Sequence, residues 1–311
     1  MNIAKDVTEL VGHTPLVRIN HLLPADFDGE VVAKVESFNP ASSVKDRVAL
    51  AMVNAAEASG KLKPGGTLVE STSGNTGVAL AMVGAARGYK VVITMPESMS
   101  KERRALMRAF GAELVLTPAA AGMQGTVDAA QKVVAEREGA ILASQFTNPA
   151  NPQAHFETTA EEIWADADGQ VDAFVAGIGT GGTVTGVGSR LKELNPDIQV
   201  FGIEPAESAL LTTGEAGAHG IQGIGANFVP EILDSAVMNE ILTIKTEDAV
   251  AMAREAATKE GLLVGISAGA ALAGALRLAQ RPDMKSKRIV TLLPDTGERY
   301  LTTPLFKDLM D

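Results

Sequence analysis

Short apolar runs alternate with longer, alanine-rich amphipathic segments along most of the chain. The short runs are rich in Val, Ile and Leu and end at turn-forming residues, which predicts β-strands. They cover residues 16–19, 31–35, 67–70, 90–96, 112–116, 141–144, 173–178, 199–205, 262–266 and 287–293. The longer segments predict helices at 48–56, 78–87, 100–107, 126–137, 157–165 and 246–259, with two more that end at 194 and 280. This alternation favours an α/β fold in which helices cover both faces of parallel sheets.

One segment interrupts the alternation. Residues 145–152 run Gln-Phe-Thr-Asn-Pro-Ala-Asn-Pro, and each Asn-Pro pair favours a turn. We therefore expect the chain to cross there from one domain to another.

The composition is that of a globular protein with an aliphatic core. Of the 311 residues, 46% are hydrophobic and 4% aromatic, and the formal net charge is -11. That charge argues against nucleic acid or an anionic membrane as a main partner. The chain has no cysteine and its four histidines lie far apart, so we expect no disulfide and no metal. It also has no membrane-length apolar run and no signal-peptide pattern, and we expect a cytoplasmic protein.

The stretch Ser42–Arg47 combines a helix start with a lysine. Ser43 followed by Asp46 resembles a capping box, which would place Lys45 in the first helical turn. The helix dipole disfavours an ammonium group there. A lysine whose pKa is lowered in this way is a better nucleophile, which suits Schiff-base formation with an aldehyde. An ordinary surface lysine is the alternative.

Two loops between a predicted strand and a predicted helix consist of small, uncharged residues. The first is Ser71–Gly77, and the second is Gly179-Thr180-Gly181-Gly182-Thr183. Backbone N–H groups at such a helix start can bind a phosphate or a carboxylate. The second loop lacks the ending of a nucleotide P-loop and the spacing of a dinucleotide fingerprint. For both, an ordinary strand-to-helix connection is the alternative.

These features fall at one edge of the predicted sheets. Lys45, the two loops, Ser267 and the 294–300 loop lie at carboxyl ends of strands or at helix starts, where open α/β sheets bind ligands. A Schiff-base lysine, a phosphate nest and a carboxylate nest together describe pyridoxal-phosphate catalysis on an amino acid.

As a set, the motifs resemble those of the cysteine synthases (O-acetylserine sulfhydrylases) of the β-family, or fold type II, of pyridoxal-phosphate enzymes. The resemblance covers nearly the whole chain. It rests on six segments in order: Ser43–Arg47, Thr72–Gly77, Gly179–Thr183, Gln222–Gly225, Gly265–Ser267 and Gly297–Tyr300. Ala268 and Asp295 stand where serine is frequent in the family, and neither change removes a catalytic group.

The resemblance implies a cofactor site for pyridoxal 5'-phosphate. Lys45 would carry the cofactor and act as the general acid and base. Asn75 would contact its ring hydroxyl, and Ser267 would face its pyridine nitrogen. The phosphate would lie on Gly179, Thr180, Gly181, Gly182 and Thr183.

The resemblance also implies a substrate site. The substrate carboxylate would be held by Thr72, Ser73, Thr76 and Gln145. Gly223 would lie near the substrate amine. The implied reaction is the β-replacement that converts O-acetyl-L-serine and sulfide to L-cysteine and acetate.

At the level of the fold, the resemblance implies two open, mostly parallel sheets flanked by helices. Residues 44–149 would form a smaller mobile domain, and residues 1–43 with 150–311 a larger cofactor-binding domain. The family is typically homodimeric, and a further partner could be the C-terminal tail of serine acetyltransferase.

Several alternatives stay open. The chain could be a cystathionine β-synthase-like enzyme, a serine/threonine dehydratase, a sulfhydrylase that uses O-phosphoserine, or a catalytically idle cofactor-binding regulatory partner. No arginine lies within residues 222–226 to pair a second phosphate, which argues against O-phosphoserine. The presence of Lys45 and Ser267 argues against an idle protein.

Overall fold

The computed structural model describes residues 3–310. Its strands are β1 Leu16–Ile19, β2 Glu30–Val35, β3 Thr67–Ser71, β4 Lys90–Pro96, β5 Glu113–Thr117, β6 Ala140–Leu142, β7 Ala173–Gly177, β8 Gln199–Pro205, β9 Glu240–Ile244 and β10 Arg288–Leu293. Its α-helices are α1 Lys45–Ala58, α2 Asn75–Arg87, α3 Lys101–Ala109, α4 Gly122–Glu136, α5 Ala150–Ala154, α6 Ala160–Asp166, α7 Gly182–Leu194, α8 Leu210–Thr213, α9 Thr246–Glu260 and α10 Ile266–Ala279.

The described residues form two compact units. The first holds the chain up to Val11 together with Asn39–Asn151, and the second holds Gly12–Phe38 and the chain from Pro152 onward. The predicted smaller domain, 44–149, therefore falls inside the first unit. The segment before Val11, which the sequence analysis placed with the larger domain, packs in the first unit because Val7 and Val11 contact its core.

The first unit is built on a four-stranded sheet in the order β5-β4-β3-β6, and all three pairings are parallel. Parallel strands are covered on both faces, so they read as continuous apolar runs. Ile93 packs into the main core of this unit, while its neighbour Val92 packs against Ala130 and Val133 of α4. Alternate residues of one strand thus point into two separate helical layers.

The second unit contains a six-stranded sheet in the order β1-β2-β10-β7-β8-β9. Only β1, at its edge, pairs antiparallel. Val175 packs into the core that contains the almost completely buried helix α10, whereas Phe174 packs into a second cluster with residues of α6 and α7. The predicted class, two mostly parallel sheets flanked by helices, is confirmed.

Two predicted elements differ from the structure. The apolar run 262–266 forms no strand; Val264 makes an isolated bridge with Thr296, and α10 begins at Ile266. The helix predicted at 157–165 begins earlier, as α5, and passes through a π-helical segment, His155–Thr159, before α6. Short apolar runs are ambiguous between buried strand and buried helix, which explains the first error.

The pattern analysis missed β9. Its sequence, Glu-Ile-Leu-Thr-Ile, mixes exposed and buried positions at the edge of the sheet, and such short edge strands carry a weak signal. Among the helices of residues 3–310, none combines the length and the hydropathy needed to cross a membrane.

Candidate active site

Lys45 is the first residue of α1, as the sequence predicts, and its side chain is partly buried. The Ser43 hydroxyl accepts the Lys45 N–H at 3.2 Å. The buried carboxylate of Asp46 accepts instead from the N–H of Ala41, at 2.5 Å. Val44 is the N-cap residue of α1 and forms no side-chain cap hydrogen bond, so the predicted capping box does not form. Ser43 and Asp46 instead accept backbone N–H groups around the turn that leads into the helix.

The Thr72–Gly77 loop joins β3 to α2, which begins at Asn75. The Thr72 hydroxyl accepts the Gly74 N–H at 3.2 Å, which shapes the turn. The Thr76 hydroxyl donates to Oε1 of Gln145 at 2.6 Å, and both side chains are buried. The structure thus brings together two predicted substrate residues that lie 69 positions apart in the sequence.

A cation lies beside this loop. Nη1 of Arg103, on α3, donates to the carbonyl oxygen of Ser73 at 3.2 Å. No role was predicted for Arg103, because a basic run on a helix is usually a solvated face. Its contact with Ser73 places positive charge next to a loop that is itself uncharged.

A buried carboxylate supports Gln145 from behind. Glu70, at the end of β3, is only 4% exposed. It accepts the Ser144 N–H at 2.8 Å, and both the backbone and the side chain of Gln145 also donate to it. Burial raises the pKa of Glu70 to about 7, although these hydrogen bonds oppose the shift. Glu70 was not among the predicted site residues; its signal in the sequence was a charged residue at the end of an otherwise apolar strand.

In the second unit, the Gly179–Thr183 loop joins β7 to α7, and the Thr180 hydroxyl accepts the Gly182 N–H at 3.4 Å. Gly181 precedes α7 with φ +83°. A Cβ atom at Gly179 would lie 2.4 Å from the carbonyl oxygen of Gly223. Glycine is therefore required at both positions, and the loop offers backbone N–H groups at a helix start.

A histidine holds one hydroxyl of this loop. Nε2 of His155 lies 3.2 Å from Oγ1 of Thr183, and Nδ1 lies 2.9 Å from Oγ1 of Thr159. His155 is fully buried at the start of the π-helical segment. No role was predicted for His155, because its contact with Thr183 spans 28 positions and leaves no local pattern.

Gly223 and Ser267 meet in the second unit. Ser267 is buried in the first turn of α10, and a Cβ atom at Gly223 would lie 3.5 Å from its hydroxyl oxygen. Because Gly179 also contacts Gly223, three predicted site residues converge there. An open cleft adjoins Gly179; Ile178, Glu204, Gly225 and Asn227 also contribute to its lining.

These residues suit pyridoxal phosphate. The second unit offers an uncharged helix start whose glycines leave room for a phosphate, and a buried hydroxyl that can bond a ring nitrogen. The first unit offers a lysine at a helix start and a loop of hydroxyl and amide donors. These are the kinds of group that pyridoxal-phosphate chemistry requires: a lysine for the aldehyde, a nest for the phosphate and a hydroxyl for the ring nitrogen.

Comparison with known proteins gives the family. The family model "Pyridoxal-phosphate dependent enzyme" matches residues 7–295. Cysteine synthase A of Escherichia coli (strain K12) is 49% identical over 99% of this chain and 97% of that protein. The chain belongs to the family of pyridoxal-phosphate dependent enzymes.

Solved structures agree with this assignment. The cysteine synthase of Entamoeba histolytica has a TM-score of 0.96 and 45% identity, covering 98% of this chain and 91% of that one. An O-ureido-L-serine synthase has a TM-score of 0.94 and 48% identity, covering 99% and 96%. The recognition made from the six motifs is confirmed.

Proposed function

We propose that the protein is a cysteine synthase that converts O-acetyl-L-serine and sulfide to L-cysteine and acetate. The observation that carries the proposal is the 49% identity to a cysteine synthase along nearly the full length of both proteins. The geometry agrees with it, because Thr76 and Gln145 form a buried hydrogen-bonded pair beside the uncharged loop.

When bound, pyridoxal phosphate supplies an aldehyde for the substrate amine and an electron-withdrawing ring that acidifies the α-C–H bond. The Lys45 amine takes the α-proton and can return it later. Thr72, Ser73, Thr76 and Gln145 hold the substrate carboxylate, and Asn75 contacts the ring hydroxyl. This fixes the α-C–H bond relative to the lysine.

The identity of the residue at the ring nitrogen influences which reaction follows. The Ser267 hydroxyl can donate a hydrogen bond to a neutral nitrogen, but it cannot stabilise a protonated nitrogen as a carboxylate would. Ser267 would therefore leave the ring nitrogen neutral, which would favour loss of acetate from the β-carbon over transamination. Gly179–Thr183 hold the phosphate through backbone amides.

A second candidate differs only in the nucleophile. The 48% identity to an O-ureido-L-serine synthase is close to the 49% identity to cysteine synthase A. O-ureido-L-serine would form by the same β-replacement if hydroxyurea attacked in place of sulfide. Both reactions would begin from the same amino-acid substrate, so the nucleophile must be identified by experiment.

The deciding experiment is a substrate panel. Purified protein is given O-acetylserine, O-phosphoserine or serine, each with sulfide, homocysteine or hydroxyurea, and the products are separated and identified. The proposal expects the highest kcat/KM for O-acetylserine with sulfide. A higher value with homocysteine or hydroxyurea would replace it, and a protein that turns over none of these donors would be an idle partner.

The proposal extends to assembly and location. We propose that the protein is a cytoplasmic homodimer. We also propose that the Thr72–Gly77 loop accepts the C-terminal tail of a serine acetyltransferase, because a backbone nest can capture a terminal carboxylate. A synthetic tail peptide should compete with O-acetylserine. Equal competition by the same peptide with an amidated C-terminus would contradict the proposed binding of the tail. Sedimentation of the purified protein would test the proposed homodimer.

A further inference from the structure

Glu70 continues the sheet at the point where the backbone ladder stops. Val69 pairs with Leu142 of β6, and the Ala143 N–H donates to the Val69 carbonyl oxygen at 3.0 Å. The next N–H along, from Ser144, goes to the Glu70 carboxylate at 2.8 Å. The side chain thus takes the place of a strand and holds the start of the crossover segment.

The Glu70 carboxylate also determines which way the carboxamide of Gln145 points. An ionised carboxylate can only accept hydrogen bonds. The Gln145 side chain donates to it through Nε2, which directs Oε1 to the Thr76 hydroxyl at 2.6 Å. Because Nε2 has two hydrogens, one remains for a bound anion.

The backbone at this point is strained. Ser144 has φ +59°, in the left-handed region that non-glycine residues rarely adopt. Its carbonyl oxygen accepts the N–H groups of Thr147 and Asn148 at 3.0 and 2.9 Å, and its own N–H is held by Glu70. Strain that the surroundings maintain in this way is typical of functional sites.

We infer that Glu70 is a positioning residue, which orients the Gln145 carboxamide so that its amide nitrogen faces the substrate carboxylate. The inference rests on the proposed function, because that function assigns Gln145 to the substrate. The groups that set the pKa of Glu70 are its burial and the N–H donors of Ser144 and Gln145, and no charged side chain is among them. Since that pKa lies at about 7, the acceptor-only form prevails above neutral pH.

The test compares Glu70→Gln with the control Glu57→Gln. Glu57 is also in the first unit, where its carboxylate accepts from Arg87 and Tyr89, each at 2.8 Å. In Glu70→Gln the Gln145 carboxamide is free to rotate by 180° and exchange its oxygen and nitrogen. The KM for O-acetylserine should then rise about tenfold or more, as expected when a hydrogen bond to a charged group is lost. The values of kcat and of the KM for sulfide should stay within about twofold, and the control should match the wild type.

Two further measurements do not depend on turnover. The affinity for L-alanine, which has no leaving group, is followed through the absorbance of the bound cofactor and should fall in parallel with the rise in KM. The pH dependence of that affinity should lose an inflection near neutral pH in Glu70→Gln. The thermal midpoint at pH 8 should not fall, because the substitution removes a buried charge.

Each outcome decides a separate question. A wild-type protein without O-acetylserine turnover overturns the proposed function, and the L-alanine affinities then decide the inference alone. An active wild type whose Glu70→Gln variant keeps its KM and its L-alanine affinity overturns the inference. So does a fall in the midpoint with unchanged affinity, which would show a merely structural role. If Glu70→Gln does not fold, Glu70→Asp serves in its place, because it keeps the carboxylate but moves it one methylene away from Ser144 and Gln145. The expected rise in KM for O-acetylserine and fall in L-alanine affinity are the same.

Discussion

Replacing Gly181 by alanine should destabilise the phosphate loop by an amount that can be worked out from the structure. Gly181 has φ +83°, a conformation that costs a residue with a Cβ roughly 1–2 kcal/mol. The new Cβ would also lie 2.8 Å from Cβ of Leu233, and relieving such crowding costs about 1–3 kcal/mol more. The expected total loss of stability is about 2–5 kcal/mol. The backbone movement that relieves the contact would fall on the first turn of α7.

Gly214 provides a matched control. It also has φ +83° and belongs to the second unit, but a Cβ there would meet no atom within 4 Å. Gly214→Ala should therefore carry the backbone cost alone, about 1–2 kcal/mol. The difference between the two variants isolates the contact with Leu233 and its effect on the loop.

Two assays follow the two consequences. Urea unfolding of the cofactor-free proteins measures stability, and absorbance after dialysis measures retained pyridoxal phosphate. Gly181→Ala should lose more stability than Gly214→Ala and should release the cofactor, while Gly214→Ala retains it. Equal stabilities would refute the crowding argument, and full retention by Gly181→Ala would refute the assignment of the phosphate to this loop.

Three further predictions concern single side chains. Lys45→Ala should lower turnover by at least the roughly 10²–10⁴-fold that a positioned acid/base supplies, and peptide mapping after borohydride reduction should find the cofactor on Lys45 of the wild type and on no other lysine. Ser267→Asp should slow β-replacement and increase keto-acid formation, because a carboxylate holds the ring nitrogen protonated; unchanged partitioning of products would contradict this. The pKa of Glu70 is about 7 in the folded protein, against an ordinary value of 4.5. The free energy of unfolding should therefore be fully present below pH 4.5 and should fall by about 3 kcal/mol as the pH rises from 4.5 through 7. The unfolding free energy of Glu70→Gln relative to wild type should therefore rise by about that amount between pH 4.5 and 8, and a constant difference would show that the pKa is not raised.

Local signals were enough to predict most of the fold and the positions of the motifs. The Gly179–Thr183 loop could be recognised because a strand, an uncharged glycine turn and a helix lie next to one another in the sequence. Lys45 could be placed at a helix start because it lies just before the apolar, alanine-rich run 48–56, although the capping box predicted from Ser43 and Asp46 does not form. The run 262–266 was misassigned because its burial comes from tertiary packing, which makes a loop and a helix start as apolar as a strand.

Contacts between distant segments could not be predicted in this way. Glu70 and Ser144 lie 74 positions apart, and nothing near either residue in the sequence indicates the other. The contact exists because β6 ends at Leu142 beside β3, so that the register of the parallel pair determines which side chain faces the turn. Gln145 could be assigned from the sequence only through the family resemblance. The Glu70 carboxylate that holds it became evident only from the structure.

The contact between Glu70 and Ser144 is also where the chain departs from two local rules at once. A buried carboxylate with a raised pKa and a serine with φ +59° are each unfavourable for stability. They occur at adjacent points of one contact, beside the loop proposed to bind the substrate carboxylate. A glycine at position 144 would relieve the backbone strain of a turn that served only the fold. Because departures from local rules concentrate at functional sites, their coincidence here supports a role for Glu70 in binding rather than in stability.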